Sequence, residues 1–148
     1  MKTEIKHQWF YNQTPGEIWE YLTKAELIEK WLMPNDFEPI LGHEFKFTTN
    51  PIPNMGLDGN FHCKVIEIIP LKKLVYSWKG GSGGEITLDT IVEWTLVPKE
   101  NGTELTLLHS GFKEENGSIF TAMFDGWDKN IKKMLEHLNT DDNANTKS

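Results

Sequence analysis

The last third of the chain limits its fold most. From near Asn116 to about Leu138, Phe120, Met123, Phe124, Trp127, Ile131, Met134, Leu135 and Leu138 recur at spacings of three and four. That spacing predicts one long helix with a continuous apolar side, and such a helix needs an apolar surface to lie on. Gly126 falls beside the stripe, where a helix-interior glycine costs up to roughly 1 kcal/mol relative to alanine. Its missing side chain would let the helix come close to a sheet or a ligand.

The surface is written in the preceding residues. Ile5, His7, Trp9 and Tyr11 share one face of a first strand, with the period of two expected of a half-buried strand. The period then changes. Thr14-Pro15-Gly16-Glu17 is a helix start in which Thr14 caps, Pro15 suits the first helical position and Glu17 completes a capping box. Ile18, Trp19 and Leu22 form its buried side. A second short helix carries Leu27, Ile28, Trp31 and Leu32 and ends at Pro34. From Leu41 to Phe112 the chain reads as strands joined by turns. Phe45 and Phe47 alternate with polar residues, Gly59 to Ile69 forms a long strand, and Leu74, Tyr76 and Trp78 share a face. The glycines of Gly80 to Gly84 make a flexible hairpin link, after which Val92, Trp94 and Leu96 face one way and Leu105, Leu107 and His109 another strand's inward side. Short links between consecutive strands favour an antiparallel meander. One strand, two short helices, a run of strands and a long helix make an α+β fold, in which a twisted sheet curls to meet the helix.

At 148 residues the chain is the size of one domain, here residues 1–138, followed by a polar, aperiodic tail over 139–148 expected to be disordered. The net charge of -7 disfavours nucleic acid and anionic membrane surfaces as main partners. No apolar run approaches the roughly 20 residues of a membrane span, and the N-terminus lacks a signal-peptide core, so a cytoplasmic protein is expected. The single cysteine excludes an internal disulfide.

Candidate chemistry is sparse. Cys63 sits in mid-strand between Phe61 and Val65, a setting that buries a thiol, so a structural role is expected. The five histidines form no metal-ligand motif, and neither a metal nor another cofactor is expected. His109 shares the inward face of Leu105 and Leu107, where a polar group needs a partner. It reads as a core histidine bonded to backbone, Ser77 or Tyr76, with a ligand anchor as the sharper alternative. Asn50 to Gly56 reads as a surface loop, with a lid over a cavity as its alternative. Asp125 and Asp128 are expected to face solvent.

The order and spacing of several short motifs resemble a known family. They are Trp31-Leu32-Met33-Pro34; Gly59 with Glu67-Ile68-Ile69-Pro70; Leu74-Val75-Tyr76-Ser77-Trp78; Gly102-Thr103-Glu104-Leu105-Thr106-Leu107; His109-Ser110-Gly111-Phe112; and Gly126-Trp127. From Ile5 to Leu138 the chain resembles the homologues of the activator of the ATPase of the 90-kDa heat-shock protein, within the START and birch-pollen-allergen-like superfamily. One departure is Gly42-His43, where many members have two glycines. The resemblance implies a helix-grip fold: a curved antiparallel sheet of six or seven strands around a long C-terminal helix, with a cavity between them. The superfamily mixes binders, transfer proteins and a few enzymes, so no activity follows from fold alone.

Aromatic bulk makes a concave interior hard to fill, and a small hydrophobic molecule is therefore the expected partner, without a cofactor. The cavity-lining candidates are Trp9, Phe45, Phe61, Tyr76, Trp78, Trp94, His109, Phe124 and Trp127, of which His109, Tyr76 and Trp127 are expected to touch the ligand. A co-chaperone-like module binding a heat-shock ATPase or another protein is the second reading. An enzyme is the third, since no catalytic set can be assembled from the sequence.

Overall fold

Alternating apolar and polar residues give six strands: β1 (Glu4–Tyr11), β2 (Glu44–Thr48), β3 (Asn60–Ile69), β4 (Lys73–Ser82), β5 (Glu85–Lys99) and β6 (Gly102–Ser110). The computed structural model describes the backbone of residues 3–146 and the side chains of residues 3–140. All six strands form one curved antiparallel sheet in the order β1-β6-β5-β4-β3-β2. Strands β2 to β6 are thus a meander, and β1 joins the far end by pairing with β6, Ile5 opposite His109.

Between β1 and β2 lie two short helices, α1 (Pro15–Thr23) and α2 (Ala25–Trp31). Thr14 caps α1 as its sequence predicts: Oγ1 accepts a hydrogen bond from the Glu17 amide at 3.2 Å, and Pro15 occupies the first turn, where its missing N–H costs nothing. The boundary between the helices is sharp because Lys24 is extended. Trp31, at the end of α2, is 2% exposed and its indole donates to the Tyr21 carbonyl at 2.8 Å, which fastens the helices together.

The long helix α3 runs Gly117–Thr146. Asn116 precedes it as a buried link: its side-chain oxygen accepts from the Lys113 amide and its nitrogen donates to the Thr87 carbonyl, each at 2.9 Å. Ile119, Trp127, Ile131, Met134 and Leu138 form the buried line of α3 against the concave side of the sheet. The helix extends beyond Leu138, where the tail was expected to begin. The side chains of 141–146, and residues 147–148 altogether, lie outside the described residues.

The glycine-rich link is shorter than its composition suggests. Gly80, Gly81 and Ser82 belong to β4, and the turn itself is Gly83-Gly84, both at positive φ. Gly80 is in the sheet because Phe61 and Leu57 already fill the place of a side chain there. At Gly81, where the register shifts, a Cβ would collide with the Glu85 carbonyl.

Candidate functional site

Helix α3 leaves part of the sheet's concave side open. A hollow of about 290 Å³ lies there, at the lower edge of the roughly 300–1,000 Å³ usual for small-molecule sites and with room for on the order of ten waters. Its floor is Phe61 of β3 and Trp78 of β4; one wall is Ile119, Ala122, Met123, Gly126 and Trp127 of α3. The opposite wall comes from elements without strand or long-helix periodicity: Leu32 and Met33 after α2, and Ile52, Met55 and Leu57 of the β2–β3 connection. Thr49 and Asn130 are the polar side chains around it, and no Lys, Arg, Asp or Glu lines it.

The β2–β3 connection is tied over the hollow by its own hydrogen bonds. Ile52 and Leu57 exchange backbone bonds at 2.9 and 3.2 Å around a 3-10 turn, Pro53–Met55. Its return to β3 depends on Gly59, at φ 93°, where a Cβ would run into the Thr49 carbonyl. The segment singled out in the sequence as a loop or lid therefore forms one side of the mouth. At Gly126 the expectation of close approach to the sheet is corrected: a Cβ there would meet nothing within 4 Å, so the glycine leaves the hollow wider.

Behind the floor the side chains are buried, and several of their polar groups are bonded to one another. Thr90 Oγ1 donates its one hydrogen to the Trp78 carbonyl at 2.8 Å, so it accepts from His109 Nε2–H at 2.7 Å. His109 Nδ1 is then free of a proton and accepts from Trp127 Nε1–H at 3.0 Å. Both ring nitrogens are committed, and burial alone pushes the imidazole from its ordinary 6.5 down to about 3. The partner expected at Ser77 or Tyr76 is Thr90 instead, because β4 turns Ser77 outward while β5 presents Thr90 inward opposite Trp78. Tyr76 sits in the same sealed layer: its hydroxyl accepts from Trp94 Nε1 at 3.0 Å, and burial drives its pKa above the ordinary phenol range. Edge-on contacts of Trp94 with Trp31 and Trp127, centroids 5.9 and 5.5 Å apart, complete the layer.

Of the nine candidate residues, Phe61, Trp78 and Trp127 stand at the hollow; Tyr76, Trp94 and His109 are packed behind it. Phe45 lies beyond Tyr76, between Phe37 and Phe47. Trp9 and Phe124 are on the other flank of α3 with His7, whose Nε2 donates to the Phe124 carbonyl at 3.0 Å, and Phe124 is 40% exposed. Asp128 joins that flank by accepting from Lys132 at 2.9 Å and from Trp9 Nε1 at 3.4 Å, bonds that hold its carboxyl below the usual range. Cys63 is buried in the core with its pKa raised by burial and then by Asp36, which leaves it an inert thiol. Among the described residues, no three His, Cys, Asp or Glu side chains cluster as a metal site.

A second hollow, about 400 Å³, opens on the convex side of the sheet. It is larger and takes part of its lining from Phe45 and Cys63, but charged side chains of Asp36, Glu44, Lys46, Lys64 and Lys79 border it and face water, unlike the uncharged hollow beside α3. No described helix is long and apolar enough to cross a membrane.

Solved structures share this architecture. Protein MLL2253 from Mesorhizobium loti matches with a TM-score of 0.83 and 29% identity, over 93% of this chain and 97% of that one. CalU16 from Micromonospora echinospora matches at 0.74 and 20%, over 91% and 75%. The protein in the solution structure of the Aha1 dimer from Colwellia psychrerythraea matches at 0.75 and 21%, over 93% and 96%. The two below 25% identity show the fold alone. No curated protein matches the chain. The family model described as "Activator of Hsp90 ATPase homolog 1-like protein" matches residues 12–139, nearly the whole helix-and-sheet unit, and the chain belongs to that family.

Proposed function

We propose that the protein binds a small hydrophobic molecule between α3, the β2–β3 connection and the sheet. The observation that carries this reading is the hollow of about 290 Å³, walled by apolar side chains from several elements, free of charge and set against the buried core. Burial of apolar surface supplies the affinity, roughly 25 cal/mol for each Å² a guest removes from water. The methionines Met33, Met55 and Met123 add unbranched side chains that adapt to the outline of a guest. His109 has no lone pair or proton to spare, so its part in binding is to hold Trp127 in the wall.

Titration with a panel of lipids, polyketides and flavonoids, followed by tryptophan fluorescence, tests the reading, since Trp78 and Trp127 border the hollow. A saturable response is expected from at least one class, together with its loss in Gly126→Leu, which adds a side chain at the lining of the hollow where a Cβ meets nothing within 4 Å. No saturable response from any class, or unchanged binding by Gly126→Leu, would overturn it. Native mass spectrometry of material isolated without denaturation gives an independent check. A retained small mass supports the reading, and a stoichiometric protein partner with no small molecule points to an interaction module instead.

A further inference from the structure

The helix wall of the hollow has a polar member. Ile119, Ala122, Met123, Gly126 and Trp127 line it from α3, and Asn130 continues them at the same spacings of three and four. With 3.6 residues per turn these six positions cover about 140° of the helix surface, and Asn130 falls within about 20° of its middle. The core-facing line of Ile131, Met134 and Leu138 runs along a neighbouring stripe, while Asp125, Lys129 and Lys132 take the solvent side. Asn130 therefore belongs to the hollow.

Its side chain is half-buried, and no hydrogen bond ties it to another described residue. Asn35 and Asn116 show the usual outcome for an amide drawn away from water: the first donates to the Ala25 and Met33 carbonyls, and the second bonds the Lys113 amide and the Thr87 carbonyl. Asparagine is also a mediocre residue for a helix interior. Side chains on a helix lean toward its N-terminus, so that of Asn130 leans toward the turn of Gly126, where a Cβ would meet nothing within 4 Å. The amide has room over the hollow. While the hollow is open, water can satisfy it. A guest that displaces this water must reproduce its hydrogen bonds or lose affinity.

We propose that Asn130 determines the class of guest: an uncharged, largely apolar molecule with a hydroxyl group that hydrogen-bonds the Asn130 amide. The proposal rests on the reading that the hollow binds an apolar guest, and adds the polar group and the residue that selects it. The amide presents an acceptor in Oδ1 and donors on Nδ2, and a hydroxyl, which both donates and accepts, can answer either. The guest is uncharged because no Lys, Arg, Asp or Glu lines the hollow to balance an ion. Thr49, the other polar side chain there, is exposed and keeps its access to water.

A matched pair of probes tests this on the intact chain: 4-butylphenol and butylbenzene, each titrated calorimetrically against wild type and Asn130→Leu. Leucine is close to asparagine in size and a better helix former, so the variant keeps the helix and most of the hollow's volume. The ratio of phenol to benzene affinity is expected to fall about 5-fold from wild type to Asn130→Leu, the size of one net hydrogen bond. A ratio that stays within about twofold, or rises, overturns the proposal while leaving the hollow a binding site. Failure of both probes to bind wild type overturns the reading of the hollow and this inference with it. Should Asn130→Leu not fold, the side-chain amide resonances of Asn130 in wild type decide. They shift with 4-butylphenol and not with butylbenzene if the bond forms, and equal shifts reject it.

Discussion

The two regions on either side of Trp78 are built from different residues and behave differently. Behind it, Thr90, His109, Trp127, Trp94 and Tyr76 bond to one another in short contacts and are buried. In front, Leu32, Met33, Ile52, Met55 and Met123 surround a void and bond to nothing through their side chains. Aromatic content therefore does not by itself make a cavity. A void remains where the covering elements are short connections and a glycine-bearing stretch of helix, while a saturated polar network makes its surroundings rigid.

The sharpest way to break the contrast is from the sealed side. Thr90→Val strips the acceptor from His109 Nε2–H and the donor from the Trp78 carbonyl, and the loss of stability is expected at about 2–3 kcal/mol by urea denaturation. Guest affinity of the folded variant stays within about twofold. A stability loss under 0.5 kcal/mol on the order-of-magnitude scale of a surface change would show that the network is dispensable.

Acidification probes the same side without mutation. Above the ordinary 6.5 of histidine the ring is neutral folded and unfolded, and the full stability is present. Between 6.5 and about 3 the unfolded chain takes a proton that folded His109 refuses, so stability is lost as pH falls. The limiting slope is about 1.4 kcal/mol per pH unit, or about 2 kcal/mol by pH 5. Denaturant midpoints at pH 7 and pH 5 measure it, and a His109 ring resonance that titrates near 6.5 would refute the buried neutral form.

The smallest expected effect lies on the open side and has the opposite sign. Gly126→Ala adds a methyl that meets nothing, so it gains helix propensity, up to about 1 kcal/mol of stability, while narrowing the hollow. Thermal unfolding and guest titration should move in opposite directions. If both improve, Gly126 does not border the bound guest.

Much of this contrast is legible in the sequence, and the legible part is what repeats. Period two marks all six strands, the three-and-four spacing marks α3, and Thr14-Pro15 marks the start of α1. Alternation also places Thr90 on the face of Val92 and Trp94, so the partner of His109 was within reach. Choosing it required the β5–β6 and β4–β5 registers, which depend on turn geometry. The apolar stripe of α3 does not tell its edges apart: Trp127 and Phe124 both belong to it, yet only Trp127 faces the hollow. The wall formed by Met33, Ile52 and Met55 has no period to read, because connections take their position from what they pack against.

The pairing of β1 with β6 governs how this molecule is assembled. Glu4 lies opposite Ser110 and Tyr11 opposite Thr103, so the first strand has no neighbour in the sheet until β6 follows some ninety residues later. Closing so long a loop is entropically expensive and slow, and during synthesis the meander grows with one flank bare. The clasp forms late, when β6 reaches β1. Trimming β1, which does not line the hollow, should therefore cost folding yield before it touches the hollow.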